Sequence, residues 1–190
     1  ISKTKTGFEV GVGLEKFYAT NVIVAAGGSA GKHFGTDGSA YSLVEGFGHK
    51  KTQLYPSLVQ LKTQTDKIKG LKGLKETVRV TAFEKEKPLM SAQGDLLFTD
   101  YGVSGSSIFS ISASIASKKS TYLIVEFLPS LTFSQVEEIV RQRQSKKYID
   151  KQDLLCGVLN KKIGQQVLKG AKSYEASDIA YAIKNFKLEV

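Results

Sequence analysis

The run Val22-Ile23-Val24-Ala25-Ala26, closed by Gly27-Gly28, constrains this chain more than any other stretch. A β-branched apolar run of this length, bounded by turn residues, predicts a strand buried on both faces. Two glycines at its carboxyl end let the backbone turn sharply and approach a ligand closely. In open α/β sheets, ligands sit at that end of the strand. Beyond the turn comes GTDGSAY, from Gly35 to Tyr41, followed by Leu43, Val44 and Phe47 at helical spacing and then Gly48. Asp37 is read as the N-cap of this helix, whose free backbone donors suit an anion or a polar cofactor edge. Strand, glycine turn, loop and capped helix together predict a nucleotide-cofactor site.

The rest of the chain changes texture twice. Gly7 to Ala19 alternates Phe8, Val10, Val12, Phe17 and Ala19 with polar residues around Gly11 and Gly13, which predicts a hairpin. Thr77 to Phe83 and Tyr122 to Phe127 read as strands, and Leu89 to Thr99 as a strand pair around Gly94. Several short strands with turns between them predict a small antiparallel barrel or sandwich. Ile108, Ile111 and Ile115, at helical spacing, predict one helix packed against it. Past Pro129 the pattern is helical. Thr132 or Ser134 is expected to cap a helix bearing Val136 and Val140, with Ser134 and Glu137 as a capping box. Asp150 is expected to open a helix carrying Leu154, Leu155, Val158 and Leu159. Ile163, Val167 and Leu168 predict a third helix, stopped by Gly170, and Ser177 opens a fourth. Phe186 to Val190 reads as a strand cut short. The expected fold class is α+β. Residues 1–54 are read as a partial cofactor-binding and middle-sheet region. Residues 55–130 are read as an antiparallel β-barrel with one packed helix, and 131–190 as a helical subdomain ending in a return strand.

Composition narrows the function classes. In a chain of 190 residues there is room for a sizeable core. No stretch approaches the roughly 18 apolar residues of a membrane span, so a cytoplasmic chain is expected, with no membrane partner. Cys156 has no second cysteine to pair with, and His33 and His49 are isolated, so no metal is expected. The net charge of +9 suits an anionic partner. Much of the excess lies in Lys62 to Lys87 and Arg141 to Lys147, and the aromatics do not interleave with these lysines, which disfavours nucleic acid.

Three motif look-alikes resolve to blander readings. Gly27 to Lys32 mimics a phosphate loop but has Ala26 in place of the first glycine and His33 in place of the final Ser/Thr. Gly102-Val103-Ser104-Gly105 falls one glycine short of a nucleophile elbow, and Ser104 is read as a helix cap. Cys156, among leucines, reads as a small core residue. His33, in the glycine loop, is a secondary candidate for facing a cofactor.

A second block, GDLLFTDYGVSG from Gly94 to Gly105, stands behind the glycine turn. Together with Ala25-Ala26-Gly27-Gly28, GTDGSAY, Phe47-Gly48-His49 and YPSLVQL from Tyr55 to Leu61, it resembles the aminoacetone-oxidase-like flavoproteins. These are also called BaiN-like or YhiN-like, or NAD(FAD)-utilising dehydrogenases. Ala26 stands where the family usually has Thr, Ala40 where Gly is common, and Ser106 where Pro is common. The resemblance implies an FAD-dependent oxidoreductase passing hydride or electrons through the flavin to a small-molecule substrate. Whether a nicotinamide cofactor is used stays open. It also implies Ala26, Gly27 and Gly28 as backbone contacts to FAD, and Asp100, Tyr101 and Gly102 on the substrate side of the inserted barrel. Nowhere is there the G-x-G-x-x-G that grips a pyrophosphate, and the first residue is Ile1. The chain is therefore expected to be an internal piece of a longer protein, inactive alone and unable to retain FAD. The alternative is a basic binding or interaction module, with nucleic acid as one anionic partner.

Overall fold

In the computed structural model, which describes residues 1–190, the period-two stretches become strands and the chain divides at Leu54 and Tyr55 into two compact units. The first unit holds an antiparallel sheet in the order β1-β2-β3, formed by Ser2–Lys3, Phe8–Val12 and Glu15–Ala19. The expected hairpin is therefore present, with Val10 opposite Phe17 and Val12 opposite Glu15. A three-residue 3-10 turn, Lys32–Phe34, and the short helix α1, Ser39–Glu45, follow.

Two expectations for this unit are corrected. Val22 to Ala26 is not a buried strand: it pairs with no other strand, and Ile23 is 92% exposed. A strand needs a hydrogen-bonded neighbour, and none of the three strands in this unit pairs with this segment. No residue of the unit is fully buried, so it has no dry core of its own. Asp37 is not the helix N-cap either; Gly38 holds that place. Asp37 instead accepts a hydrogen bond from the Ser39 N–H at 2.9 Å. Hydrogen bonds from the Ser39 side chain and backbone hold its carboxyl below the ordinary aspartate value.

The second unit is built on a six-stranded antiparallel sheet in the order β4-β7-β6-β5-β8-β9. The strands are β4 (Leu61–Lys62), β5 (Lys75–Glu84), β6 (Lys87–Phe98), β7 (Gly102–Ser104), β8 (Thr121–Phe127) and β9 (Phe186–Glu189). Alternate residues point inward. Val78, Val80 and Ala82 of β5 lie opposite Phe127, Val125 and Leu123 of β8, all with no exposed surface. The sheet curls until its ends meet, where the Gln64 N–H beyond β4 donates to the Glu189 carbonyl of β9 at 3.0 Å. Helix α2, Ser106–Ile115, lies across β5 and β6, and its Ile108 and Ile111 are completely buried. Each such isoleucine contributes roughly 1.5–3 kcal/mol.

Helices α3 (Phe133–Gln144), α4 (Lys161–Gly170) and α5 (Ala176–Lys184) follow; α5 packs on α3, α4 and β8. Val140, Ile163, Ile179 and Ile183 join the same continuous core as the sheet residues. Leu89 to Thr99 is not a strand pair but lies largely in the one long strand β6, because Gly94 stays in register opposite Val78. The capping box of α3 uses Thr132 and Gln135 instead of Ser134 and Glu137. Helix α5 starts at Ala176, not Ser177, with Glu175 at its N-cap. Ser104 ends β7 and caps nothing; Gly105 precedes α2.

The helix expected from Asp150 is a 3-10 turn, Lys151–Asp153, followed by tight turns through Gly157, whose φ is 81°. Two carbonyls that a helix would use internally are taken by Arg143. Its Nε donates to Leu154 O at 2.5 Å and its Nη2 to Cys156 O at 2.7 Å. Leu154, Leu155 and Leu159 are still buried, by turns in place of helix. The last strand, β9, pairs with β8 from Tyr122 opposite Glu189 to Val125 opposite Phe186.

Candidate functional site

The glycine turn is an exposed backbone loop braced by its own side chains. Gly27 has φ 75°, a conformation that side-chain-bearing residues rarely adopt, and a Cβ there would lie 2.5 Å from Thr36 Cγ2. A Cβ on Gly28 would meet the Tyr41 hydroxyl at 2.7 Å. Thr36 Oγ1 donates to the Ala30 carbonyl at 2.6 Å and ties the loop back on itself. No backbone N–H from Asn21 to Ala30 donates a hydrogen bond within the chain. Ala26, Gly27 and Gly28 therefore present free donors on an accessible backbone. That is the chemistry a flavin's carbonyl and nitrogen edge requires, so the residues present fit the cofactor. His33 sits exposed in the 3-10 turn with its ring 4.0 Å from that of Phe34.

The same unit carries a cleft of about 310 Å³ that sequence reasoning missed. Its walls are Ile1, Phe8, Val22, Val24, Val44 and Phe47, with Lys3 and His49 at polar positions. The available signal was the two-residue spacing of Val22 and Val24, which puts both on one side of an extended segment. Ala26, Gly27 and Gly28 do not line it.

In the second unit, the GDLLFTDYGVSG block turns from β6 through Thr99–Tyr101 into β7 and α2. The Thr99 N–H donates to Gly102 O at 2.9 Å, and the Thr63 N–H to Tyr101 O at 3.1 Å, so the turn is fixed at both sides. Asp100 and Tyr101 are exposed on it. Asp100 pairs with Lys72 at 2.5 Å, and the Tyr101 hydroxyl bonds the Gln60 side chain. Gly102 is buried, and a Cβ there would stand 2.0 Å from Leu61 O. Its role is to let β4 and β7 approach. The structure thus brings Asp100 and Tyr101 together at the surface and sends Gly102 into the sheet. No group of three or more His, Cys, Asp or Glu side chains is placed to hold a metal ion, and no helix is long and apolar enough to cross a membrane.

Residues 55–189 match the family described as the HI0933-like protein barrel and H2TH domain. The chain belongs to this family. The match begins where the second unit begins, and it takes in every strand from β4 to β9 and helices α2 to α5. The curled sheet and its helices are thus the HI0933-like barrel and helical region, in agreement with the expected α+β class and with the likeness to the BaiN-like or YhiN-like flavoproteins. Over 168 residues the chain is 33% identical to a 3-dehydro-bile acid delta(4,6)-reductase of Clostridium scindens (strain ATCC 35704 / DSM 5676 / VPI 13733 / 19). That alignment covers 86% of this chain and 41% of the reductase, so the chain spans about two-fifths of that relative's length.

Proposed function

We propose that the chain is part of an FAD-dependent reductase that passes hydride or electrons through the flavin to a small organic substrate. The observation that carries this reading is the 33% identity to a reductase across 86% of the chain, more than the second unit alone could supply. When bound, the flavin supplies the redox chemistry, while the protein positions it and tunes its surroundings. In this reading the free N–H groups of Ala26, Gly27 and Gly28 hold the flavin edge. The HI0933-like barrel lies on the substrate side, where Asp100 and Tyr101, on their fixed turn, contact substrate. The same relative supports a nicotinamide dinucleotide as a candidate hydride donor only through its class, reductase, which needs a source of electrons. We place the longer protein in the cytoplasm, in keeping with a lone Cys156 that forms no internal disulfide. The chain alone is inactive in this reading, because its first unit has no buried residue and its Val22 to Ala26 segment no strand partner.

The test uses the full-length protein and separates a cofactor role for the glycine turn from a local steric one. Gly28→Ala alone creates a clash with Tyr41, whereas Gly28→Ala with Tyr41→Phe removes the clashing hydroxyl; the next ring atom would then be 3.6 Å away. Loss of flavin absorbance in the double variant, with an unchanged circular dichroism spectrum and full flavin in Tyr41→Phe, is the expected result. Full flavin occupancy in the double variant would remove Gly28 from the cofactor site. Anaerobic mixing of the wild-type holoenzyme with NADH or NADPH, followed by bleaching of the flavin band, identifies the donor. The 190-residue chain itself is expected to be colourless after desalting.

A further inference from the structure

Three clefts of the second unit join through shared wall residues. One of about 440 Å³ lies between Lys151, Gln165, Lys169 and Tyr174. The next, about 310 Å³, shares Lys169 and adds Lys67, Tyr181, Asn185 and Lys187. The third, about 380 Å³, shares Asp66 with the second and adds Lys69, Lys72 and Asp100. The first two clefts flank the carboxyl end of α4, and the second and third flank the lysine-rich segment after β4.

Two of these lysines are committed elsewhere: Lys72 to Asp100 at 2.5 Å and Lys187 to Glu189 at 2.7 Å. Lys67, Lys69, Lys151 and Lys169 make no ion pair with any carboxylate. Lys67 instead donates to a backbone carbonyl, that of Lys187, at 3.0 Å. Of the nearby acids, Asp153 is held by Lys161, and Asp66 alone lines the track without a cation on it. Tyr181 is 61% exposed; Tyr174 is 39% exposed and carries the Lys151 ammonium over one face, 5.1 Å from the ring centroid, which leaves its other face for a base. Tyr174, between α4 and α5, and Tyr181, on α5, are held beside these lysines by the packing of α4 on α5.

We propose that this track binds single-stranded nucleic acid, its unpaired lysines following the phosphates and Tyr174 and Tyr181 stacking bases. A small anion would engage one cleft, whereas the cations here are spread over three. An acidic polypeptide would use the lysines but not the rings. A rigid duplex keeps its bases stacked inside and offers the tyrosines nothing, which favours the single strand. This inference does not depend on the flavin reading, and its readout does not involve flavin.

The experiment is fluorescence anisotropy of the 190-residue chain with a labelled oligothymidine and with a duplex of equal length. A length of about 12 nucleotides spans a site of this type. Salt is varied from about 50 to 200 mM, where four phosphate contacts predict a log–log slope of about −3. Lys169→Glu is expected to flatten that slope by about one. Tyr181→Ala is expected to weaken single-strand binding roughly tenfold with the slope unchanged. Lys87→Glu, at the far end of β5 and β6, is expected to change nothing. Lys169, Tyr181 and Lys87 are all exposed, and matching circular dichroism spectra establish that the variants fold. Absence of single-strand binding at the lowest salt overturns the proposal. So does an equal loss in Lys87→Glu and Lys169→Glu, which would mean diffuse charge in place of a track. Equal competition by polyglutamate, with no effect of Tyr181→Ala, overturns it in favour of an acidic protein partner.

Discussion

Lys184 is the one ion-paired lysine that the fold takes almost out of water, with only 9% of its side chain exposed. It reaches from the last turn of α5 to Glu126 Oε1 of β8 at 2.8 Å, to Leu128 O at 2.9 Å and to Leu131 O. It thus fastens α5, β8 and the loop leading to α3 at one point. Lys184→Met keeps the length of the stem and removes all three donors. Two of the acceptors retain a partner. Glu126 still receives Arg79 at 2.8 Å, and Leu128 O still accepts the Leu131 N–H at 3.0 Å. Only the Leu131 carbonyl is left without a donor. The cost therefore falls below that of stranding a buried charge and comes to about 2–3 kcal/mol: one charge-assisted bond lost and one carbonyl unsatisfied.

In a unit of this size that corresponds to a fall in Tm of roughly 6–9 °C. Urea denaturation followed by circular dichroism measures it directly, and the signal reports the second unit because the first has no core to melt. Glu126→Gln beside the double variant separates the ion pair from the two carbonyl bonds. A change below about 0.5 kcal/mol in Lys184→Met, within the range of ordinary surface substitutions, would refute the reasoning. It would mean that the ammonium group is hydrated and the three contacts are incidental.

Two other outcomes follow from particular geometries. Gly105→Ala is expected to destabilise the second unit by more than about 2 kcal/mol in denaturant melts, because φ is 108° and a Cβ would lie 2.3 Å from Asp95 O. The Asp153 carboxyl is held below its ordinary value of 3.8, first by the hydrogen bond from Lys161 and then by that lysine's charge, against an opposing effect of burial. Its contribution is present above the unfolded value and lost as pH falls through the lower folded one. Asp153→Asn is therefore expected to make the loss of stability as pH falls below about 3.8 shallower, as read by melts at each pH.

What could be read from sequence was whatever depended on near neighbours. Val78, Val80 and Ala82 alternate, and so do Leu123, Val125 and Phe127; both runs are strands with those residues inside. Ile108, Ile111 and Ile115 share a helix face because three- and four-residue steps do so in any helix. The expectations that failed depended on distant groups. Leu154, Leu155 and Leu159 have helical spacing and are buried, yet Arg143 from another helix takes the carbonyls and the chain folds into turns. Val22 to Ala26 has the composition of a central strand but pairs with none of the strands here. In the candidate site, Gly27 and Gly28 were recognisable as positions that exclude a side chain. The groups that exclude it, Thr36 and Tyr41, come from the loop and helix beyond.

The GDLLFTDYGVSG block shows how much of a recognisable motif serves geometry. Gly94 leaves room for Ser106 Oγ, which would otherwise lie 2.6 Å from a Cβ. That hydroxyl accepts the Asp95 N–H at 3.0 Å, while Ser107 Oγ donates to Asp95 O at 2.9 Å, so the start of α2 is bonded to both sides of one residue of β6. Serine stands at 106 where the resembled family commonly has proline, and here its side chain supplies a bond that a proline ring has no atom to make. The Asp95 carboxylate meets Lys75 at 3.1 Å on the neighbouring strand, and Gly102 lets β4 press onto β7. Each of these contacts is satisfied inside the fold. Together they hold the Thr99–Tyr101 turn between two strands and a helix. Asp100 and Tyr101 are left as the two side chains of that turn with surface to offer. A rigid frame ending in two exposed polar side chains is the arrangement that lets contact residues vary while their position stays fixed. That is why, of the three residues first read as facing substrate, these two keep a contact role in the proposal, whereas Gly102 serves by holding them in place.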